Sequence, residues 1–457
     1  MWQKLRSNFL KYFFYAFLIS VPIGTRVLLY QFTTGFNEYE AVFLYLSDIL
    51  MLVFLTVFFW KSRADSYGLI RPNSGITKLL LAFLFLAGVS VFVAFSKELA
   101  VYSFLRLVLL AITALVAAKL LKDGTVKIEG ILAIIALSSV VQSLVGIGQF
   151  IKQSGLGLAR LGEPLIGPNV GGAAKIIAEG GKVLRAYGTF PHPNVLAAFS
   201  VIGLLAMYYF WLRRPSEWKV WSGLAPLEVA PALARPKGLG GGLPLTGWNT
   251  LLSDLLYGVG IFIIILGLTF AFSRAAWLVA ALASLVVISY SLLVRRNWIQ
   301  AVRLAILLSA IFVMLLIGFK DFILPRAQIS PSEPAVTQRV SYNDIALDLI
   351  KNNLLGVGIG NQVLYSVKNN IYKDAGMSQV WQWQPIHNIY LLMASEIGVL
   401  GLLAFILFAG KLLISYALVI RYQLSVIPFV MFGSLLLLGL FDHYLWTLQP
   451  GRLMLWF

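Results

Sequence analysis

The sequence predicts an all-α, polytopic integral membrane protein with about 11–12 transmembrane helices and a large extracytoplasmic loop domain between the late spans. Of its 457 residues, 59% are hydrophobic and only 12% are charged, whereas about a quarter of the residues of a soluble domain are charged. The apolar residues form runs of about 20, the length of helix that crosses a bilayer. They do not alternate with period two, so a transmembrane barrel is excluded.

The apolar runs predict eleven spans followed by a short apolar segment near 445–457. The first run is too long for the apolar core of a cleavable signal peptide and lacks a small-residue cleavage site, so it is interpreted as the first span. The predicted spans are 9–30, 41–60, 77–96, 100–121, 128–151, 194–212, 251–272, 275–294, 302–319, 389–410 and 423–441.

Basic residues cluster in alternate loops, and this pattern predicts the orientation because Lys and Arg stay on the cytoplasmic side. The same pattern accounts for the net charge of +17 without a nucleic-acid partner. The cytoplasmic clusters are Lys61/Arg63/Arg71, Lys119/Lys122/Lys127, Arg213/Arg214/Lys219, Arg295/Arg296 and Lys411/Arg421. The predicted external loops are 31–40, 97–99, 152–193, 273–274, 320–388 and 442–450.

These loops divide the chain into five parts. The loop 213–250 is rich in Pro and Gly and is predicted to be a flexible linker. An amphipathic pattern at 337–353 predicts a helix within the largest external loop, which should fold as a cap. The parts are 1–151 with five spans, the extracytoplasmic loop 152–193, 194–319 with spans six to nine, the cap loop 320–388, and the C-terminal spans 389–457.

Some residue types limit the chemistry. The chain has no cysteine, which excludes disulfides, thiolate metal sites and cysteine nucleophiles. Asp48, Arg106, Asp254 and Glu396 fall within predicted spans, where an isolated charge is costly. We expect them to tie helices together or to line a cavity.

All three histidines, His192, His387 and His443, fall in or beside predicted external loops. His387 directly precedes an apolar helix that Asn388 is suited to cap. The positive end of the helix lowers the pKa of an imidazole there, and a neutral imidazole can accept a proton. The alternative is a residue that only helps to cap the span. His192 lies in a rigid turn and is interpreted as structural, and Asp442 with His443 as a buried hydrogen-bonded pair.

Three arginines, Arg185, Arg274 and Arg339, oppose the charge bias of the external loops. Arg274 lies between two spans with almost no loop, so its guanidinium can hold a lipid phosphate with two parallel hydrogen bonds. The alternative for Arg274 is a snorkelling side chain packed on Trp277. For Arg339, at the start of the amphipathic helix, a solvated surface charge is the default interpretation.

Several short motifs, taken in this order along residues 130–457, resemble the O-antigen ligase and O-antigen polymerase family of bacterial envelope glycosyltransferases. No single motif is specific, but their order on a twelve-span hydropathy pattern with a large late external loop is. The motifs are Arg185-Ala-Tyr-Gly-Thr-Phe-Pro-His-Pro-Asn194, Phe272-Ser-Arg-Ala-Ala-Trp277, Leu354-Leu-Gly-Val-Gly-Ile-Gly-Asn361, His387-Asn-Ile-Tyr-Leu391 with Glu396-Ile-Gly-Val-Leu-Gly401, and Asp442-His-Tyr-Leu-Trp446.

The resemblance implies a multi-pass enzyme of the cytoplasmic (inner) membrane with its active site on the extracytoplasmic side. It would move a glycan from a polyprenyl diphosphate carrier to an acceptor hydroxyl, without a cofactor or metal. Its partners would be the lipid bilayer, the carrier-linked glycan donor, and a glycolipid, glycan or protein acceptor.

The resemblance also implies roles for individual residues. His387 would be the general base, and Arg274 and Arg339 would bind and neutralise the diphosphate leaving group. The tryptophans could stack on sugars or anchor the cap at the membrane interface. The residues expected to bind substrate are Arg185, Asn388, Tyr390, Trp381 and Trp383.

The sequence leaves the acceptor open. A ligase, a polymerase and a protein O-oligosaccharyltransferase share this outline, and the His387 motif makes the ligase the leading interpretation. A transporter or flippase of lipid-linked oligosaccharides is an alternative from another class, and a membrane scaffold is a weaker one. A transporter should carry charges deep in its spans, whereas the informative charges here fall at the external edge.

Overall fold

The structure, a computed structural model, describes residues 2–62, 75–178, 181–213, 246–328, 333–420 and 426–457. It confirms the predicted all-α polytopic fold. Within these ranges, eight helices are long and apolar enough to cross a membrane, and three shorter apolar helices lie at Phe9–Ser20, Leu46–Trp60 and Ile427–Leu438. Most of the predicted linker 213–250, residues 214–245, lies outside the described residues.

The N-terminal part differs from the predicted spans in one respect. A β-hairpin, with Arg26 opposite Tyr45, replaces the end of the first predicted span and the start of the second. Pro22 and Gly24 follow the first helix and disfavour its continuation. Apart from Arg26 and Gln31 the strand residues are apolar, so hydropathy alone extends the predicted spans over them. The elements are α1 Trp2–Ser20, β1 Arg26–Gln31, β2 Ala41–Tyr45, α2 Leu46–Ser62, α3 Gly75–Phe92, α4 Lys97–Lys122 and α5 Ile128–Lys152.

The middle of the chain supplies the centre of the bundle. Its elements are β3 Lys175–Ala178, β4 Gly181–Leu184, α6 Pro193–Leu212, α7 Thr246–Phe270, α8 Arg274–Leu293 and α9 Trp298–Ala327. Helix α6 is apolar on all sides, and 89% of the residues in its membrane-spanning stretch are buried, as expected for a helix at the bundle centre. Only 17% of the residues in the membrane-spanning stretch of α9 are buried, so α9 lies at the periphery of the bundle.

The C-terminal part contains the cap and the last membrane helices. Its elements are α10 Pro334–Asn352, α11 Gln362–Lys368, α12 Ile371–Asp374, α13 Ile389–Ile420, α14 Ile427–Leu438, α15 Tyr444–Thr447 and α16 Gln449–Trp456. The amphipathic pattern predicted at 337–353 falls on α10. The cap has an apolar core of its own, in which Tyr342, Leu349 and Tyr372 are almost completely buried.

A glycine-rich loop joins the cap to the membrane bundle. The backbone N–H groups of Val357 and Gly358 donate to the carbonyls of Ser395 and Glu396 at 2.9 and 3.0 Å. A Cβ on Gly356 would lie 2.3 Å from the Glu396 carbonyl oxygen, so the loop fits only without a side chain there. Helix α13 is broken at Gly398, where φ is 76°, and the loop occupies the break.

The four charged residues singled out within the predicted spans each have a charged or hydrogen-bonding partner, as expected for charges in an apolar environment. The Arg106 guanidinium lies 3.0 Å from the Asp48 carboxylate, which ties α4 to α2. The Glu396 carboxylate accepts a hydrogen bond of 2.7 Å from the Trp446 indole N–H, which ties α13 to α15. Asp254 lies 3.8 Å from Arg303.

Loops from distant parts of the chain meet at one end of the bundle, called here the cap end. The Thr189 hydroxyl donates to the Pro22 carbonyl at 2.5 Å, and the Ser96 backbone N–H donates to the Asn361 side chain at 2.8 Å. The described segments at the cap end are 21–45, 93–96, 153–178, 181–192, 271–273, 333–388 and 439–443. This end carries the chemistry-bearing residues.

Candidate active site at the cap end

His387 lies in the loop that leads into α13. The backbone N–H of Ile389 donates to the Gly439 carbonyl at 2.8 Å, and this bond brings the turn after α14 next to His387. The His387 Nδ1 atom lies 3.0 Å from the Pro385 carbonyl oxygen. A carbonyl only accepts, so Nδ1 carries the proton of the neutral imidazole and the lone pair is on Nε2. Nε2 is therefore the atom that can accept a proton.

Electrostatics keep that imidazole neutral near pH 7. Burial lowers the pKa of His387, the Asp442 carboxylate opposes this shift, and the charge of Arg339 lowers the pKa further. The net shift is below the ordinary value. His387 is consequently in the form that a general base requires.

Aromatic rings fix the orientation of the imidazole. The His387 ring is stacked on the Tyr342 ring, with centroids 5.0 Å apart and an interplanar angle of 9°. The His443 ring lies edge-on to it at 4.9 Å, and Tyr39 lies edge-on to His443 at 5.3 Å. The cap therefore supplies one wall around His387, and the turn after α14 supplies another.

Asp442 is the negative charge of this cluster. Its Oδ2 accepts from the Asn194 amide at 2.5 Å, and its Oδ1 accepts from the backbone N–H of His443 at 2.8 Å. Burial would raise the pKa of Asp442, but His443, His387 and Arg339 bring it well below its ordinary value. An ionised carboxylate beside His387 stabilises an imidazolium when one forms.

Donor atoms of His387, Asp442 and His443 lie within 4.8 Å of one another. Two imidazoles and a carboxylate are a set that can bind a divalent transition metal. Here each Asp442 oxygen already accepts a hydrogen bond. The Nδ1 atom of His387 faces the Pro385 oxygen, and that of His443 faces the Thr447 hydroxyl at 2.7 Å. Hydrogen bonds thus hold Asp442 through Asn194 and the His443 backbone, and each imidazole through its Nδ1 atom.

Arg185 and His192 hold the start of α6. Arg185 Nη2 donates to the Asn194 side-chain oxygen at 2.6 Å, and Nε donates to the Ala271 carbonyl at 2.7 Å. His192 Nδ1 accepts from the backbone N–H of Asn194 at 3.2 Å and caps α6. Burial and Arg185 lower the pKa of His192 to about 3, in keeping with this acceptor role. Arg185 thus acts on Asp442 through Asn194.

Arg274 is the first residue of α8 and lies beside a second arginine. Its Nη2 donates to both carboxylate oxygens of Glu333, each at 2.7 Å. Arg326 Nη1 donates to Oε1 of the same carboxylate at 2.8 Å. Burial would raise the pKa of Glu333, but hydrogen bonds from Arg274 and the charges of both arginines bring it below its ordinary value. Two guanidinium groups therefore converge on one anionic group.

The charge of Arg339 acts on both clusters. Arg339 precedes Tyr342 by three residues on α10, so both side chains lie on one face of that helix. Its charge acts on His387 and Asp442, and also on Arg326. Among the residues that the structure describes, Arg339 forms no ion pair. It thus contributes a positive charge that acts on the imidazole and on the carboxylate.

Residues 259–406 match the family model described as O-Antigen ligase. This segment begins in α7, ends in α13, and includes Arg274, Arg326, Arg339 and His387. The chain carries an O-antigen ligase domain. The predicted family is thereby confirmed, and the domain supports a glycosyltransferase of the O-antigen ligase or polymerase type. A search of curated proteins found no match.

Two of the predicted substrate-binding residues of the ligase domain make structural contacts. The Asn388 side-chain oxygen accepts from the backbone N–H groups of Tyr390 and Leu391 at 2.9 and 3.1 Å, so Asn388 caps α13. The Tyr390 hydroxyl donates to the Leu436 carbonyl at 2.8 Å, which joins α13 to α14. These contacts give both side chains a structural role, and their predicted role in substrate binding stays a prediction.

The two tryptophans of the cap differ from each other. The Trp383 indole N–H donates to the Met377 carbonyl at 3.0 Å, and its ring packs against the apolar core of the cap. Trp381 is 54% exposed. Of the two, only Trp381 presents an open aromatic face on which a sugar could stack.

Sequence reasoning missed part of the site in and around the O-antigen ligase domain. Asp442 was interpreted only as the partner of His443, and Tyr342, Arg326 and Glu333 were not singled out. For Arg326 a signal was present, because it falls in a predicted external loop and opposes the charge bias as Arg274 does. For Tyr342 and Glu333 no sequence signal could have replaced the tertiary contacts.

Proposed function

We propose that the protein is an O-antigen ligase-like glycosyltransferase. It moves a glycan from a polyprenyl diphosphate carrier to an acceptor hydroxyl at the outer face of the cytoplasmic membrane. One observation carries the proposal: a ring nitrogen of the neutral His387 imidazole lies within 4.8 Å of an Asp442 carboxylate oxygen, within the field of Arg339, at the end of the bundle where Arg274 also lies.

The chemistry begins at the acceptor hydroxyl. Its proton passes to Nε2 of His387 while its oxygen forms a bond to the anomeric carbon of the donor. The bond from that carbon to the diphosphate oxygen breaks, and its electron pair leaves with the polyprenyl diphosphate. Asp442 stabilises the imidazolium that forms, in the way a carboxylate supports a catalytic histidine elsewhere. A positioned general base contributes roughly 10²- to 10⁴-fold to such a rate.

The arginines act on the leaving group. The diphosphate gains negative charge as the glycosidic bond breaks, and we assign its neutralisation to Arg274 and Arg339. Arginine suits this task because it stays charged and binds phosphate through two parallel hydrogen bonds. Preorganised positive charge in a site partly shielded from water lowers the barrier more than it would in bulk water.

The remaining residues position the substrates. Arg185, which contacts Asn194 and through it Asp442, is a positioning residue for the carboxylate. Trp381, exposed on the cap, offers a stacking surface for the glycan. The acceptor itself follows from the experiment below, because a ligase, a polymerase and a protein O-oligosaccharyltransferase need the same base and the same leaving-group site.

The test is reconstitution of the purified protein in nanodiscs with a polyprenyl-diphosphate-linked glycan. Three acceptors are supplied separately: a lipid A core glycolipid, a second carrier-linked repeat unit, and a Ser/Thr-containing protein. We expect one of the three products to form. Failure with every acceptor, together with movement of the donor between leaflets in liposomes, would favour the transporter and reject the transferase.

Variants assign the base. His387→Ala should abolish transfer at unchanged protein abundance and unchanged thermal unfolding. The matched control is His192→Asn, which removes a histidine at the same end but keeps a side chain that can cap α6, and it should retain most of the activity. Full transfer by His387→Ala would remove the catalytic assignment.

A further inference from the structure

A carboxylate bridges two arginines where α9 ends and the cap begins. Glu333 accepts three hydrogen bonds of 2.7 to 2.8 Å, two from Arg274 and one from Arg326. The side chains of these residues are 18% to 24% exposed. The group is thus partly shielded and partly exposed, and it is separate from the cluster of His387, Asp442 and His443.

Both guanidinium groups are also held by backbone carbonyls. Arg274 Nη1 donates to the Gln328 oxygen at 2.9 Å, and Arg326 Nε donates to the Phe272 oxygen at 3.1 Å. These bonds orient the two guanidinium groups whether or not Glu333 is present. The N–H groups aimed at Glu333 therefore form a ready-made site for a planar or tetrahedral oxyanion.

The charges around this site are unbalanced. Arg326 lies within electrostatic range of both Arg274 and Arg339, and such closely placed like charges repel unless an anion lies between them. Glu333 supplies one negative charge for two guanidinium groups, and Arg339 has no ion-pair partner among the described residues. A diphosphate diester, with two negative charges, balances the three arginines better than one carboxylate does.

We propose that Arg326 is a third diphosphate-binding arginine and that Glu333 occupies the diphosphate position while the site is empty, an inference that rests on the proposed function for the identity of the donor. In the free protein, the Glu333 carboxylate offsets the repulsion between the two guanidinium groups, which the backbone carbonyls orient. The incoming diphosphate takes over their N–H groups and displaces the carboxylate. The site selects a doubly charged lipid phosphate because a single charge competes poorly with Glu333.

Binding, measured apart from catalysis, tests the proposal. Polyprenyl diphosphate without a glycan is titrated into the full-length protein in nanodiscs. Glu333→Gln should bind it about tenfold more tightly, because the competing carboxylate no longer fills the site. Arg326→Gln should bind at least about tenfold more weakly, because a charge-assisted hydrogen bond is lost. Arg326→Lys should recover part of that loss.

Matched controls separate these effects from changes in net charge. Glu98→Gln, in the first turn of α4, and Arg160→Gln, at the cap end, make the same charge changes on exposed residues and should bind as the unaltered protein does. Without ligand, the thermal unfolding temperature of Glu333→Gln should be lower than that of the unaltered protein, because the two guanidinium groups repel each other. Saturating polyprenyl diphosphate should restore this temperature. Weaker binding by Glu333→Gln, or unchanged binding by Arg326→Gln, would overturn the proposal.

Two further ligands identify the source of the phosphate. Inorganic pyrophosphate should compete with polyprenyl diphosphate, whereas phosphatidylglycerol in the nanodisc should not show the same dependence on Glu333 and Arg326. An equal dependence for phosphatidylglycerol would make this a general lipid-phosphate site and reject the proposed selectivity. If no acceptor is glycosylated but diphosphate binding responds as expected, the proposed function fails and the anion site stands. If Arg326→Gln transfers glycan and binds polyprenyl diphosphate as the unaltered protein does, the proposed anion site fails and the proposed function stands.

Discussion

The imidazole of His387 lies parallel to the phenol ring of Tyr342, with ring centroids 5.0 Å apart and an interplanar angle of 9°. This contact joins the loop before α13 to the first long helix of the cap. Tyr342 is itself held by its hydroxyl, which donates to the Gln382 carbonyl at 2.6 Å. The orientation of the proposed base thus depends on a cap residue that takes no part in proton transfer.

Tyr342→Ala should lower the transfer rate on the order of 10- to 100-fold, because the imidazole loses the surface that fixes its plane. Tyr342→Phe keeps the ring and loses only the bond to Gln382, so it should retain most of the rate. The comparison is made by steady-state kinetics at saturating donor. Equal losses in both variants would mean that the hydroxyl, not the stacked ring, is what matters.

The transfer rate should rise with pH along a limb that reports the pKa of His387. Burial and Arg339 lower that pKa, so the midpoint should fall below the ordinary value of about 6.5. Arg339→Gln removes a positive charge that disfavours the imidazolium, and the limb should move to higher pH. Asp442→Asn removes a stabilising charge, and the limb should move to lower pH with a reduced plateau. Midpoints that do not move in either variant would contradict His387 as the base.

Stability should also depend on pH through the buried histidines. Burial lowers the pKa of His443 to about 3, so the unfolded chain binds the proton more readily. The contribution of neutral His443 to the free energy of unfolding is present above the ordinary pKa of about 6.5 and is lost as the pH falls toward 3. At pH 5 the free energy of unfolding is lower by about 2 kcal/mol. Asp442 stays ionised in this window. The thermal unfolding temperature should therefore drop between pH 7 and pH 5, and the drop should be smaller in His443→Asn. A drop of equal size in both proteins would show that His443 does not cause it.

The apolar runs were sufficient to predict the membrane helices, because burial in lipid requires continuous helix. They failed at 26–30 and 41–45, where the two strands of the hairpin are apolar apart from Arg26 and were therefore counted as parts of spans. The arginines at 274 and 339 could be singled out because each opposes a charge bias that sequence shows directly. The sequence could not predict the ion pair between Glu333 and Arg326 or the stacking of Tyr342 on His387, because both depend on how the cap folds back on the bundle.

Arg274→Lys tests whether two parallel hydrogen bonds are needed at the start of α8. A lysine keeps the charge but binds as a single point, so transfer should fall about 10- to 100-fold, with most of the effect on the KM for the donor. Arg274→Ala should abolish transfer at unchanged abundance. Kinetics with the donor varied at fixed acceptor provide the measurement. A lysine variant with normal KM would show that charge alone is sufficient.

Asn388→Ala distinguishes a helix cap from a substrate-binding residue. Loss of the bonds to the N–H groups of Tyr390 and Leu391 should destabilise the protein by about 1 kcal/mol. Asn388→Asp keeps an oxygen that can cap α13 and should restore stability. If Asn388 serves only as a cap, the KM of either variant for its substrates should match that of the unaltered protein. A normal melting temperature with a raised KM would instead support the substrate role predicted from sequence.

The glycine-rich loop seated in the break of α13 constrains how a bulky lipid carrier reaches the reaction centre. Backbone hydrogen bonds from Val357 and Gly358 to Ser395 and Glu396 fasten the cap, so swinging it upward would rupture several buried bonds at once. We therefore expect the lipid carrier to enter laterally, with its isoprenoid tail in the surrounding bilayer and its sugars in water. A covalent tether that locks the cap to α13 should then leave turnover intact.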